Sequence, residues 1–372
     1  MSSDKAADAI IIGGGIIGAA CADELARHGL DVLVLDSRLP AATAAGMGHL
    51  LVLDDSDAEL ALGQYSVHTW RDWLPQMPDD CAARNNGTLW IACSDEEMAV
   101  AEHKQRVLQA HGVDCEVLGA AALAAAEPAL REGLVGGLRV TGDGILYAPN
   151  AARWLLGRQP TVRQRQAHVS AVEGNRVRLD DGTWLSADAV VLANGIHAST
   201  LCPELPLVAK KGHLAITDRY PQRIGHTLVE LGYVVSAHHA TGPSVAFNVQ
   251  QRPTGQLFIG SSRQFDNLDP AIDGWMLGRM LRRAIEFLPD LARMNIVRSW
   301  TGFRAASPDG QPLIGEHPSQ PGLWLAVGHE GLGVTTAPGT ARLLAAQLLG
   351  HATPLDPQPW RPQRFIGAAT HA

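Results

Sequence analysis

The chain opens on an apolar run, 9–12, that reads as a short buried strand and leads straight into Gly13-Gly14-Gly15-Ile16-Ile17-Gly18. From there the period changes: Ile17, Ala20, Cys21, Leu25 and His28 fall at helical spacing, and Gly29 stops the helix. A second apolar run, 32–35, ends in Asp36. Helices are predicted over 58–74, over 95–111 behind the capping Ser94, over 119–126 ahead of Pro128, and from Pro149-Asn150 onward. A strand is predicted over 88–92, a strand-like stretch with a glycine turn over 139–147, and a hairpin over 177–185 around an Asp-Gly turn. A buried strand over 189–192 ends in Ala193-Asn194-Gly195. Alternation dominates 213–263, with strands at 244–249 and 256–260. A helix over 274–288, a strand over 323–327 and a helix from 333 to about 349 complete the pattern.

The opening strand–glycine–helix–strand unit matches G-x-G-x-x-G, and each part has a physical use. Gly13 allows the tight turn, Gly15 lets the backbone approach a diphosphate, and Gly18 lets helix and strand pack closely. The helix start, Ile16 and Ile17, offers free N–H groups at the positive end of the dipole. Asp36, with Ser37 and Arg38 behind it, is placed to accept hydrogen bonds from an adenosine ribose. Glycine-rich strand ends recur at Gly195 and over 328–333. A cofactor touched by segments so far apart is large and enclosed, which favours FAD over a nicotinamide served by one Rossmann unit. The expected fold is α/β (α+β overall): a Rossmann-type FAD-binding domain with an interleaved mixed-sheet substrate domain. Residues 1–80, 150–210 and 300–372 are assigned to the first, 81–149 and 211–299 to the second.

Composition narrows the class. At 372 residues with 46% hydrophobic and 18% charged positions, the chain has material for two domains and no stretch that must stay disordered. A net charge of −8 argues against nucleic acid or an anionic membrane as partner. The first apolar run lacks a basic leader and is broken by glycines, so a cytoplasmic protein without membrane insertion is expected. Cys21, Cys81, Cys93, Cys115 and Cys202 form no C-x-x-C pair, and neither zinc nor iron–sulfur ligation within the chain is expected from that spacing.

Taken together the motifs resemble the glycine oxidase and D-amino acid oxidase family of FAD enzymes. They are the opening glycine loop with Asp36, then Ala44-Ala45-Gly46-Met47, then 190–195 with Ala193, Asn194 and Gly195. Gly302-Phe303-Arg304, Ser307 to Gly315, and Gly328-His329-Glu330-Gly331-Leu332-Gly333 follow in order. The stretches 328–336 and 244–250 are most similar to the FAD subunits of dehydrogenases acting on D-hydroxyproline, proline or opines, and of hydrogen cyanide synthase. D-Hydroxyproline dehydrogenase is the first choice among these. The resemblance implies oxidation of a small amino or imino acid to its imine by hydride transfer to flavin N5. It also implies partner subunits carrying an iron–sulfur centre or a second flavin. Departures lie after Asp36, where Thr43 and alanines stand in place of an early serine, and over 150–172, a short stretch charged by Arg153, Arg158, Arg163 and Arg165, which implies either a truncated helix or a surface rebuilt for a partner.

By the same resemblance Arg304 holds the substrate carboxylate, for which a bidentate guanidinium is the natural partner. Met47 shapes the pocket beside the flavin, Arg263 lines the substrate cavity, and His49 faces the flavin or caps the next strand. His329, Glu330, Gly331, Leu332, Gly333 and Val334 form a helix start whose N–H groups stabilise charge on the reduced ring. Lys211 and His213 are weaker candidates. Three alternatives stay open: an oxidase that returns electrons to oxygen, an NAD-dependent dehydrogenase, and a flavin-binding protein without catalysis.

Overall fold

A computed structural model describes residues 5–232, 242–265 and 267–367; part of the alternating stretch, 233–241, thus lies outside the described residues. Two large sheets organise it. The first has six strands in the order Leu313–Glu316, Leu323–Val327, Ala189–Leu192, Ala9–Ile12, Val32–Asp36 and Val162–Gln166. Its inner strands pair in parallel, Ala9 against both Val32 and Ala189, and all four residues of Ala9–Ile12 are buried. A strand covered on both faces carries no polar alternation, which is why 9–12 and 189–192 read as continuous apolar runs.

The glycine loop closes onto this sheet without room to spare. A Cβ at Gly18 would stand 1.9 Å from the Gly13 carbonyl oxygen, and one at Gly13, whose φ is +104°, would stand 2.7 Å from that of Ala193. Helix Ile16–Arg27 then packs along helix Gly333–Leu348 and helix Ala148–Leu156. Helix Gly333–Leu348 contains Pro338, which removes one backbone donor and displaces the carbonyl four residues earlier. The neighbouring helix Asp57–Trp73 supplies a donor to that carbonyl and an acceptor to the N–H that follows the proline. Trp70 Nε1 donates to the Val334 carbonyl at 2.9 Å, and the Gly339 N–H donates to Ser66 Oγ at 3.1 Å. That approach needs glycine at 339, where a Cβ would meet Ser66 Oγ at 2.4 Å.

The second large sheet has eight strands in the order Ile296–Ala306, Val208–Arg219, Gln256–Phe265, Ser244–Gln251, Thr227–Glu230, Thr88–Ala92, Gly136–Val140 and Cys115–Gly119. Helix Gly274–Phe287 covers its outer face through Phe287, which stacks on Phe247 at 4.3 Å. Strand Ile296–Ala306 pairs with Val208–Arg219 from Val208↔Ala306 to Thr217↔Ile296. It therefore carries Arg304 into the eight-stranded sheet, across the division expected at residue 300. The strand-like stretch with a glycine turn expected over 139–147 is two strands, Gly136–Val140 and Gly144–Ile145, on either side of a turn at Gly142.

The arginine-rich stretch after Asn150 is ordered by ion pairs within the chain. Arg158 reaches the buried Asp23 at 3.0 Å and lies over Trp73 and Trp154. Arg163 holds Asp31 at 2.6 Å on the outer strand, where exposed charge discourages further strand addition. Here the expectation of a surface rebuilt for a partner meets a local explanation.

Candidate active site

A cavity of about 870 Å³ lies between the two sheets. Its wall includes Gly13, Gly15, Ile16, Ile17, Asp36 and Ser37 from the first sheet's loops, and Ala45, Gly46, Met47 and His49 from the segment after it. Ala193, Asn194 and Gly195 line it, as do all residues from His329 to Val334. Arg263 and Arg304 enter from the second sheet. Gly18, Arg38 and Ala44, expected at the cofactor, do not line the cavity. Gly18 is consumed by packing against Gly13, and Arg38 uses its backbone N–H, at φ +58°, to bond Asp36 Oδ1 at 2.7 Å. Ala44 sits on an exposed four-residue helical turn.

The diphosphate end is made of backbone. Gly14 N–H donates to Asp36 Oδ2 at 2.5 Å, which ties the loop to the second strand. Ile16 N–H donates to Thr43 Oγ1 at 3.0 Å, so Thr43 takes one of the helix's free donors. Gly15 and Ile17 keep theirs, with no acceptor among the described residues. Asn194 Oδ1, an acceptor buried on the same wall, has no donor among the described residues. Across the cavity Gly328, at φ +83°, and Glu330, at φ +47°, turn the chain into helix Gly333–Leu348. The N–H groups of Gly331, Gly333 and Val334 meet no acceptor among the described residues, whereas Leu332 N–H bonds the His329 carbonyl at 2.9 Å. Two sets of unsatisfied donors facing one elongated cavity suit a dinucleotide that presents a diphosphate at one end and an electron-rich ring at the other.

The other end is made of side chains. Strand alternation places Lys210, Gly212 and Leu214 on the cavity wall and turns Lys211 and His213 away. Lys211 is fully buried and bonds Asp273 Oδ2 at 3.0 Å. His213 Nε2 accepts the Asp273 N–H at 3.0 Å, which leaves Nδ1 to donate to Ser262 Oγ; burial and the nearby Lys211 charge depress its pKa. These two residues brace helix Gly274–Phe287 and do not meet a ligand in the cavity. The residue missed by one position is Lys210, whose Nζ lies 2.9 Å from Glu330 Oε1. Arg263 Nη2 lies 3.2 Å from the same oxygen. Glu330, expected to act through its backbone, thus also compensates two cations.

Arg304 is different. Its guanidinium is half-buried, Nη1 donates to the Ser262 carbonyl at 3.2 Å, and no carboxylate pairs with it among the described residues. Room for it comes from Gly212, where a Cβ would stand 3.0 Å from both terminal nitrogens.

Met47 is buried, its sulfur against Gly260, and its carbonyl accepts from Gln250 Nε2 at 2.5 Å and Arg252 Nη2 at 2.7 Å. His49 has a sealed Nε2 without a partner among the described residues; burial, with the Arg252 charge nearby, lowers its pKa to about 3. His329 Nε2 meets Thr340 Oγ1 at 3.0 Å, and burial lowers its pKa to about 3 as well. His329 therefore supports the helix start as a neutral ring. Strand register also assembles a row that sequence reasoning did not single out: Trp90↔Val229, Val229↔Asn248, Asn248↔Gly260. Asn248 is its one polar side chain, and Oδ1 is buried without a partner among the described residues. The signal was a lone asparagine in the apolar run Ala246-Phe247-Asn248-Val249.

A family model described as FAD dependent oxidoreductase (DAO) matches residues 8–347. The chain is 30% identical to D-amino acid dehydrogenase of Cereibacter sphaeroides, covering 87% of this chain and 72% of that protein. It is 26% identical to an opine oxidase subunit of Rhizobium meliloti, covering 92% and 93%. The crystal structure of glycine oxidase from Geobacillus kaustophilus superposes with a TM-score of 0.86 at 24% identity, covering 97% of this chain and 99% of that one. The chain belongs to the DAO family of FAD-dependent oxidoreductases, and its cofactor is FAD.

Proposed function

We propose that this FAD-dependent oxidoreductase oxidises the C–N bond of a small amino or imino acid, with a cyclic imino acid such as D-hydroxyproline as substrate, and passes the electrons to a partner subunit. The observation that carries the reading is Arg304: a guanidinium on the cavity wall, fixed by a backbone carbonyl and with no carboxylate paired to it among the described residues. Such a group is a ready partner for a substrate carboxylate. Neighbouring cations do not compete for the same role, because Glu330 holds Lys210 and Arg263.

Bound FAD supplies the two-electron acceptor for the hydride that leaves the carbon bearing nitrogen. The chain's own residues position that carbon. Arg304 orients the carboxylate, and Met47 with Leu214 and Trp90 gives the ring an apolar wall that excludes water. Asn248 supplies the one polar side chain of its row on the cavity wall, where a ring hydroxyl or an amine N–H can be matched. A site that leaves a polar atom unpaired discriminates strongly, by roughly 10⁴-fold, against substrates that lack the matching group. His49, its Nε2 buried and its ring neutral beside Met47, stiffens the cavity wall and adds no charge to it. The role of a partner is supported by the similarity to the opine oxidase subunit of Rhizobium meliloti, whose name marks it as one part of an assembly.

The test is an anaerobic flavin spectrum titrated with cis-4-hydroxy-D-proline, D- and L-proline, glycine, sarcosine and an opine. Bleaching by hydroxyproline at lower concentration than by D-proline is the expected result. Bleaching by glycine or the opine alone overturns the substrate assignment, and peroxide release by the isolated chain in air overturns the electron transfer to a partner.

A further inference from the structure

Outside the cavity, one cluster joins residues that no sequence spacing relates. Cys202 follows helix Ala198–Leu201, and Glu204 is two residues further on. His317 follows strand Leu313–Glu316 at the edge of the six-stranded sheet. Cys202 Sγ lies 3.5 Å from His317 Nε2, and the same nitrogen lies 3.0 Å from Glu204 Oε1. One donor atom from each of the three falls within 4.8 Å of the others. Cys202 and the His317 side chain are fully buried, whereas the Glu204 side chain is 38% exposed and opens the cluster to solvent.

We propose that Cys202, Glu204 and His317 form a binding site for a zinc-type divalent cation, with water as the fourth ligand. Thiolate, imidazole and carboxylate are the donor set that zinc takes, in tetrahedral geometry. Bonds of about 2.3 Å to sulfur and about 2.0 Å to nitrogen at a tetrahedral angle place those two donors roughly 3.5 Å apart. The Cys202–His317 separation of 3.5 Å already matches, so the ion enters with only a small movement of Glu204. Supporting contacts are present too. Gln320 Nε2 holds Glu204 Oε1 at 3.3 Å, and Ser319 Oγ lies 3.4 Å from His317 Nδ1, ready to accept the proton that Nδ1 carries when Nε2 binds metal. The Ser319 N–H, which bonds Nδ1 at 3.3 Å, is on an exposed residue and passes to water. Coordination replaces the S–H bond of Cys202 by an S–Zn bond and releases one proton to solvent.

The place in the fold gives the site a consequence. Thr200 and Leu201 line the cofactor cavity, and the ion would tether their segment to the far edge of the same sheet. This inference is independent of which amine is oxidised.

The experiment uses the FAD-loaded chain after exhaustive treatment with chelator, followed by equilibrium dialysis against Zn²⁺ and zinc-edge X-ray absorption. One zinc per chain with one sulfur neighbour is expected, together with a rise in melting temperature. Cys202→Ser and His317→Gln should each weaken binding about 100-fold, and Glu204→Gln about 10-fold, in line with losses on disturbing metal shells. Zinc bound without a sulfur neighbour, or equally well by these variants, overturns the site. Should the two buried substitutions prevent folding, the solvent-facing Glu204→Gln and the sulfur shell of the unaltered chain still decide.

Discussion

The two ends of the cavity are built in opposite ways. At the diphosphate end, one continuous segment of backbone supplies the donors, and glycines matter because no side chain fits: a Cβ at Gly18 would stand 1.9 Å from Gly13 O. At the carboxylate end, side chains from separated strands converge: Lys210, Asn248, Arg263 and Arg304 come from four strands of the eight-stranded sheet, and Glu330 from the turn before the last long helix. The first end tolerates almost no change in shape and is indifferent to the chemistry of most neighbours. The second retains its backbone when a side chain changes, and alters what it binds. Substitutions at the two ends should therefore separate cofactor retention from substrate recognition.

The largest expected effect is at the carboxylate end. Arg304→Ala should leave the protein yellow and raise the dissociation constant of a carboxylate substrate by about 2–5 kcal/mol, the usual loss when one partner of a desolvated charge pair is removed. A titration of flavin bleaching reads it directly, and an unchanged midpoint would remove Arg304 from substrate binding. At the other end, Gly18→Ala must push the loop from the strand. We expect a loss of about 1–3 kcal/mol in stability, as for overpacked sites, with FAD released on gel filtration. A stable variant that retains FAD would mean that the loop can yield.

Between the two, Trp70→Phe leaves the Val334 carbonyl without its donor beside Pro338. The expected cost is about 1–3 kcal/mol, that of a buried unsatisfied group, measured by chemical denaturation. Because Val334 opens the helix at the cavity, FAD affinity should fall with it.

The smallest effect concerns pH. Burial holds His49 and His329 near pKa 3, so both are neutral from pH 5 to 8. His329→Gln should leave the pH dependence of flavin reduction unchanged over that range; loss of an inflection would show a charged ring in the site. In the unfolded chain the same histidine protonates below about pH 6.5. Its contribution to stability is therefore fully present above pH 6.5 and is lost as pH falls toward 3. A flatter acid limb in the His329→Gln melting curve checks the sign.

Much of the site was legible in the sequence, for reasons that differ by residue. Gly13, Gly15 and Asp36 were readable because the chemistry of a tight turn and a helix start is local. Arg304 was reached by resemblance, through Gly302-Phe303-Arg304, and its strand, Ile296–Ala306, straddles the division expected at residue 300. Lys211 and His213 were chosen where Lys210 belonged, because the chain offers no local mark of which face of a strand meets a cavity. Asn248 was hidden because its meaning depends on Val229 and Gly260 beside it, both far away in sequence.

What the sequence by itself determined is the part carried by neighbours along the chain: the two classes of strand, the helix caps, the phosphate loop and the FAD half. Those features depend on backbone conformation and on period, which a few consecutive residues specify. Only the tertiary structure decided which side chains share a wall, that Glu330 compensates Lys210 and Arg263, that Arg304 pairs with no carboxylate among the described residues, and that Cys202 stands against His317. These depend on strand register and on the packing of sheets across long loops. A shift of one residue turns every side chain to the other face, and no local signal records which face the fold will choose.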